Sequence, residues 1–148
     1  MRIAFFTPEY PTEKNFSGGL STYLKRTALC LKVAGHEPVI FTLSDRSECI
    51  VNEGITVHRV KAGIGSYTLR TYVRKSFLGD TVRLYLDPLK LHIRFLREHF
   101  RRKFDLVQVP NFQATGFFAT KIRMVPVVTR ISSYEPLLRE AYGFQLDR

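Results

Sequence analysis

The sequence predicts an α/β protein, a doubly wound, mostly parallel sheet sandwiched between two helical layers. Three observations carry that expectation. Short apolar runs alternate with helical stripes along most of the chain. The first run, Ile3-Ala4-Phe5-Phe6, has no polar face, which suits a strand covered on both sides. Glycines sit where a strand–helix–strand crossover needs them, Gly18-Gly19 before the first helix and Gly35 after it.

Each element follows from local pattern. Strand one, Arg2 to Thr7, stops at Pro8, and residues 8–19 hold the turn formers Pro11, Asn15, Ser17, Gly18 and Gly19. Leu20, Tyr23, Leu24, Thr27, Ala28, Leu31 and Ala34 then recur at helical spacing. Pro38 to Thr42 is strand two. Ile55 to Val60 alternates and is expected as strand three, near an edge. Residues 61–80 show no period. Asp87-Pro88 reads as a helix start, and Leu89, Ile93, Leu96 and Phe100 form an apolar stripe after it. Val82, Tyr85 and Leu86 extend the stripe upstream, so Pro88 either kinks one helix or separates two. Phe104 to Val109 is strand four, residues 113–122 a short helix, and Val125 to Ile131 strand five. Glu135-Pro136 opens a further helix. The expected strand order is 3-2-1-4-5, with the ligand crevice at the carboxyl ends of strands one and four, where the winding reverses.

The 148 residues are expected to form a single domain. An apolar fraction of 45% excludes a disordered tail, and no run approaches the ~18 apolar residues that span a bilayer. The N-terminus lacks a secretory signal pattern. Cys30 and Cys49 make no metal or redox spacing, so the expected compartment is the cytosol. The net charge of +10 calls for an anionic partner, and residues 70–103 concentrate it, with ten basic against three acidic side chains.

Gly18-Gly19 lies at the expected switch point. Paired glycines let a backbone approach a ligand, and the free N–H groups of a helix start favour an anion. The dinucleotide fingerprint and the phosphate-loop signature with its lysine are both absent, which disfavours a nicotinamide or ATP enzyme.

Met1 to Pro11, followed by Ser17-Gly18-Gly19-Leu20-Ser21-Thr22-Tyr23-Leu24 and then Leu29 to Thr42 with its Gly35-His36, resembles the opening of glycosyltransferase family 4. Phe104 to Asn111 and Val125 to Arg130 resemble that family's fourth and fifth strands. The resemblance implies a GT-B enzyme with two Rossmann-like halves. The N-terminal half holds the acceptor, and the C-terminal half grips the nucleotide-sugar through Glu-x7-Glu and basic residues. This chain reads as the N-terminal half, with the donor lobe lying beyond Arg148, and is expected to be inactive by itself. The resemblance also implies transfer with retention, a nucleotide-sugar as co-substrate, and no metal or other cofactor. Its acceptor is a cell-envelope glycan, polysaccharide or lipid-linked glycan. Many members carry a His just past strand five. Here Ser132 stands near that place and no His lies between 100 and 148, so no catalytic residue carries over.

The candidate ligand-binding residues are Gly18, Gly19, Glu9, Asn111, Arg130 and Ser132, all at expected carboxyl strand ends or in the loops beyond them. Each has an ordinary role too: a solvated loop carboxylate for Glu9, a turn former for Asn111, a helix cap for Ser132. Lys90, Arg94, Arg97 and Arg101 fall on one helical stripe and are the candidate cations for an anionic membrane at the inner face of the cell, though a helix macrodipole accounts for some of them. Nucleic acid is disfavoured, since no module for it is present. The second functional reading is a non-catalytic α/β module that binds a glycan or phosphorylated ligand in the same crevice.

Overall fold

The computed structural model describes residues 1–13, 19–63, 77–111, 114–122 and 124–131, with side chains in the second helix described from residue 85 onward. The elements in chain order are β1 (Arg2–Thr7), α1 (Gly19–Val33), β2 (Glu37–Ser44), β3 (Glu48–Asn52), β4 (Ile55–Lys61), α2 (Phe77–Arg101), β5 (Leu106–Pro110), α3 (Phe117–Ile122) and β6 (Val127–Arg130). They build one six-stranded sheet in the order β3-β4-β2-β1-β5-β6. Every pairing is parallel except β3 with β4. The expected Rossmann-like α/β architecture and the relative order of its five strands are therefore present.

The edge differs from expectation. Ile55–Lys61 is an interior strand, because Glu48–Asn52 pairs outside it in an antiparallel hairpin. Asn52 faces Ile55 across a two-residue turn, with Glu53 at φ 51° and Gly54 at φ 71°. Two successive positive φ values make the primed turn whose twist matches a hairpin. The signal was the short alternation before Glu53-Gly54.

β1 is central because both of its faces are covered. Ile3 and Phe5 pack with Leu24 and Ala28 of α1, while Ala4 and Phe6 pack with Leu91 and Phe95 of α2. Helix α1 ends in a Schellman motif: the Gly35 N–H reaches the Lys32 carbonyl, the His36 N–H reaches that of Leu31, and Gly35 sits at φ 80°.

The α2 side of the core is aromatic. Phe6, Phe41, Phe95 and Phe104 meet with centroids 5.3 to 6.0 Å apart, mostly edge-on. Edge-on pairs add about 0.5–1.5 kcal/mol each to their area burial. His92 joins this layer between Phe6, Phe95 and Phe118, with both ring nitrogens buried and unpartnered.

Helix α2 corrects several expectations. It runs unbroken through Pro88. Asp87 is no N-cap: buried within the helix, it accepts the Gly63 N–H at 2.8 Å and ties the end of β4 to α2. The buried apolar residues are Leu91 and Phe95, not Ile93 and Phe100, which are exposed together with Tyr85 and Leu86. The apolar stripe expected from spacing therefore faces partly outward, since His92, Glu98 and His99 occupy inner positions that pattern alone assigns to hydrophobics.

Buried His58 shows what those polar groups do. Its ring stacks on Phe41 at 4.9 Å, and its Nδ1 accepts from Arg94 at 3.0 Å. Glu98 lies 4.0 Å from Nε2 and bonds Arg94 at 3.0 Å. A guanidinium can only donate, so Nδ1 carries no proton and the ring is neutral. Burial first, and Arg94 second, push the imidazole down to about 4 from its ordinary 6.5. Burial also lowers His92 and His99.

Two predictions follow from this packing. The unfolded chain binds the His58 proton first as pH falls. The stability contribution is therefore complete above about pH 6.5 and lost between there and about pH 4, on the order of 3 kcal/mol in all. His58→Phe, which keeps the stack on Phe41, should flatten that part of the melting-temperature profile relative to wild type; parallel profiles would contradict the assignment. Separately, a Cβ at Gly116 would lie 2.4 Å from the Val109 Cγ2. Gly116→Ala should cost about 1–3 kcal/mol by overpacking. Adding Val109→Ala should recover part of that loss in a urea-denaturation cycle.

Candidate functional site

The winding reverses between β1 and β5. Helix α1 crosses from β1 to β2 on one face, while α2 and α3 cover the other. In open sheets of this kind the ligand crevice lies at the carboxyl ends of the strands beside the reversal.

The loop leaving β1 is shaped residue by residue. Buried Thr7 folds it back, its hydroxyl donating to the Glu9 carbonyl at 2.7 Å and accepting the Glu9 N–H at 3.3 Å. Tyr10 is fully buried beneath α1. Its phenol has no hydrogen-bond partner, and burial, reinforced by Glu53, pushes it up to about 12. The Glu13 N–H then returns to the Tyr10 carbonyl at 2.9 Å.

Glu13 is clamped to the sheet. Arg59 of β4 reaches it through two parallel bonds, Nε to Oε1 at 2.8 Å and Nη2 to Oε2 at 2.9 Å. Arg59 also pairs with Glu48 of β3 and lies 3.5 Å from Asp45. The Arg59 side chain is 5% exposed and that of Glu13 11%. The bond to Glu13 is the chief cause holding the guanidinium above its ordinary pKa. A bidentate pair fixes angle as well as distance, so this fork sets the position of Glu13 against the sheet. Neither residue stood out in the sequence. A lone loop Glu and a strand Arg 46 positions apart carry no local signal.

Helix α1 starts at Gly19 with no acidic side chain in its first turn, so none of its own carboxylates offsets the positive end of its dipole. Gly19 needs no glycine for the chain's own sake. Its φ is not positive, and a Cβ there would meet nothing within 4 Å. A side chain at this position would meet open space. Ser21, one turn in, is buried with its hydroxyl unpartnered.

Arg130 closes the opposite side. Its guanidinium lies 3.7 Å over the Tyr23 ring, which brings the end of β6 against the N-terminal part of α1. Arg130 Nη1 is buried without a hydrogen-bond partner. Asn111 is exposed beside it, its N–H donating to the Arg130 carbonyl at 3.1 Å. Of the sequence candidates, Gly19, Arg130 and Asn111 thus belong to this neighbourhood, and Glu9, half-buried, lies in the loop leaving the same strand edge. Gly18 and Ser132 lie outside the described residues. The residues missed were Glu13, Arg59 and Tyr23; only Tyr23 had a visible signal, its place in the N-terminal part of α1 after the glycines.

The four cations expected to form one outward stripe are not equivalent. Arg94 turns inward to His58 and Glu98, which corrects its assignment as membrane-facing. Lys90 pairs with Asp87 at 3.6 Å and Arg101 with Glu98 at 3.3 Å. Arg97 is exposed and has no ion pair among the described residues.

Against known proteins the backbone finds a counterpart. It is similar to part of a sucrose-phosphate synthase from Thermosynechococcus elongatus. The TM-score is 0.65 at 17% identity, with 94% of this chain covered. The chain spans 35% of that protein's length. No family model and no curated protein matches the sequence. At this identity the likeness establishes the fold. Among the described residues no three His, Cys, Asp or Glu side chains cluster as metal ligands, and no helix is long and apolar enough to cross a membrane.

The clamp makes a measurable difference. Arg59→Met leaves Glu13 buried and unpaired, and should cost about 3–5 kcal/mol in urea denaturation. Adding Glu13→Gln removes the stranded charge and should restore part of that loss. Amide exchange at residues 9–13 should accelerate in the single variant beyond the global change; uniform acceleration would show that the fork does not shape the loop.

Proposed function

We propose that this chain is the acceptor-side domain of a GT-B glycosyltransferase, working with a nucleotide-sugar donor on a glycan or lipid-linked acceptor. The observation that carries the reading is the open space at a Gly19 side-chain position, on the same helix as Tyr23, over which Arg130 lies with its buried, unpartnered Nη1. A glycine that its own chain does not require, beside an orphaned guanidinium N–H, suits a phosphate or polyhydroxyl ligand. The backbone likeness to a synthase named for sucrose phosphate, and the family 4 resemblance of residues 1–42 and 104–130, point the same way.

In this reading the chain's residues position and polarise. The first-turn N–H groups of α1 and Arg130 stabilise negative charge developing on the departing diphosphate. The Thr7 turn and the Glu13–Arg59 fork fix residues 7–13, so these lose little freedom on binding. Tyr23 keeps Arg130 flat against α1. Donor recognition belongs to a second lobe closing over the crevice, and the retaining course belongs to the same reading.

Amide chemical shifts under a panel of nucleotide-sugars and sugar phosphates test it. Shifts should concentrate at Gly19–Tyr23 and Arg130, and Gly19→Trp should abolish them. Shifts elsewhere, or an unchanged response in Gly19→Trp, would remove the crevice as the site. Purified residues 1–148 should transfer no sugar, and turnover by them would contradict the division of labour. Binding without transfer in a protein carrying both lobes would favour the non-catalytic module.

A further inference from the structure

The outer face of α2 exposes an apolar row. Leu86, Ile93 and Phe100 recur every seven residues, so they line up along about 21 Å of helix. They are 45%, 41% and 75% exposed. Spacing alone assigns Ile93 and Phe100 to the core; the fold instead fills the inner face with Leu91, Phe95, His92, Glu98 and His99.

Charge on α2 is sorted the same way. Its two described acids, Asp87 and Glu98, are both buried. Arg97, Arg101, Arg102 and Lys103 are all exposed. Arg97 and Lys103 have no ion pair among the described residues. The outer face therefore offers an aliphatic and aromatic row beside cations, with the described carboxylates of the helix withdrawn.

We propose that this face docks on an anionic membrane surface, with Leu86, Ile93 and Phe100 entering the acyl boundary and Arg97, Arg101 and Lys103 meeting lipid headgroups. A helix lying in the interface needs this arrangement, apolar residues on one line and cations flanking it. The other occupants fit less well. A second copy would bring two cationic faces together. Nucleic acid would leave Leu86 and Ile93 without a role, since aliphatic side chains do not stack on bases as aromatic ones do. A second lobe over the crevice lies at the carboxyl edge of the sheet, whereas the C-terminal end of α2 lies at the amino edge, where Arg102 bonds Glu37 at the start of β2.

The inference is independent of sugar transfer, because binding is read with no donor present. The chain should co-sediment at low salt with phosphatidylcholine vesicles containing about 30% phosphatidylglycerol, and not with neutral ones. Arg97→Gln should weaken partitioning about fivefold, the share of one interfacial cation. Ile93→Ser/Phe100→Ser should weaken it at least about tenfold with an unchanged thermal melt, since both side chains are exposed. Absence of binding to anionic vesicles, or undiminished binding by the serine double variant, would overturn the proposal. So would a single-stranded oligonucleotide that binds through Arg97 while vesicles do not, or a dimer that the Phe100 substitution dissociates.

Discussion

The structure depends on β1 being buried on both faces. Its residues alternate between two cores, Ile3 and Phe5 toward α1, Ala4 and Phe6 toward α2. Covering both faces forces consecutive crossovers to opposite sides of the sheet, so the winding must reverse beside this strand. The switch point between β1 and β5 is a consequence of that packing. Its position is settled by hydrophobic burial before any polar residue takes part.

What polar residues contribute is shape. The segment after β1 leaves an apolar environment and must still satisfy its backbone. Thr7 and the Glu13-to-Tyr10 backbone bond do this locally, and the Glu13–Arg59 fork pins the segment to the sheet through side chains. Burying that pair carries a desolvation cost, which the two parallel bonds and the further carboxylates around Arg59 offset. Buried groups without a partner cost about 1–3 kcal/mol each, and they occur on both sides of the sheet, at Tyr10, Ser21 and Arg130 and at both ring nitrogens of His92.

Helix α2 shows a complementary economy. Its inner face mixes aromatic rings with two acids and two histidines, and its outer face keeps apolar residues among cations. Phe41 and Phe95 hold the helix to the sheet through ring contacts with one another and with Phe6 and Phe104. That anchoring frees the outer face from any structural duty.

The sequence by itself determined the fold class, the five parallel strands and the strand beside which the winding reverses. These follow from unbroken apolar runs, from Gly35 at a helix end, and from crossover handedness, all local or chain-order properties. It marked Gly19, Arg130 and Asn111 because they stand at strand ends or a helix start. Only the tertiary structure decided that Arg59 grips Glu13, that Arg130 lies on Tyr23, and that Ile93 and Phe100 look outward. Those outcomes depend on contacts between residues far apart in the chain, and on which side of α2 the Phe cluster claims. A periodic pattern can specify a helix without specifying which of two apolar stripes will meet the sheet.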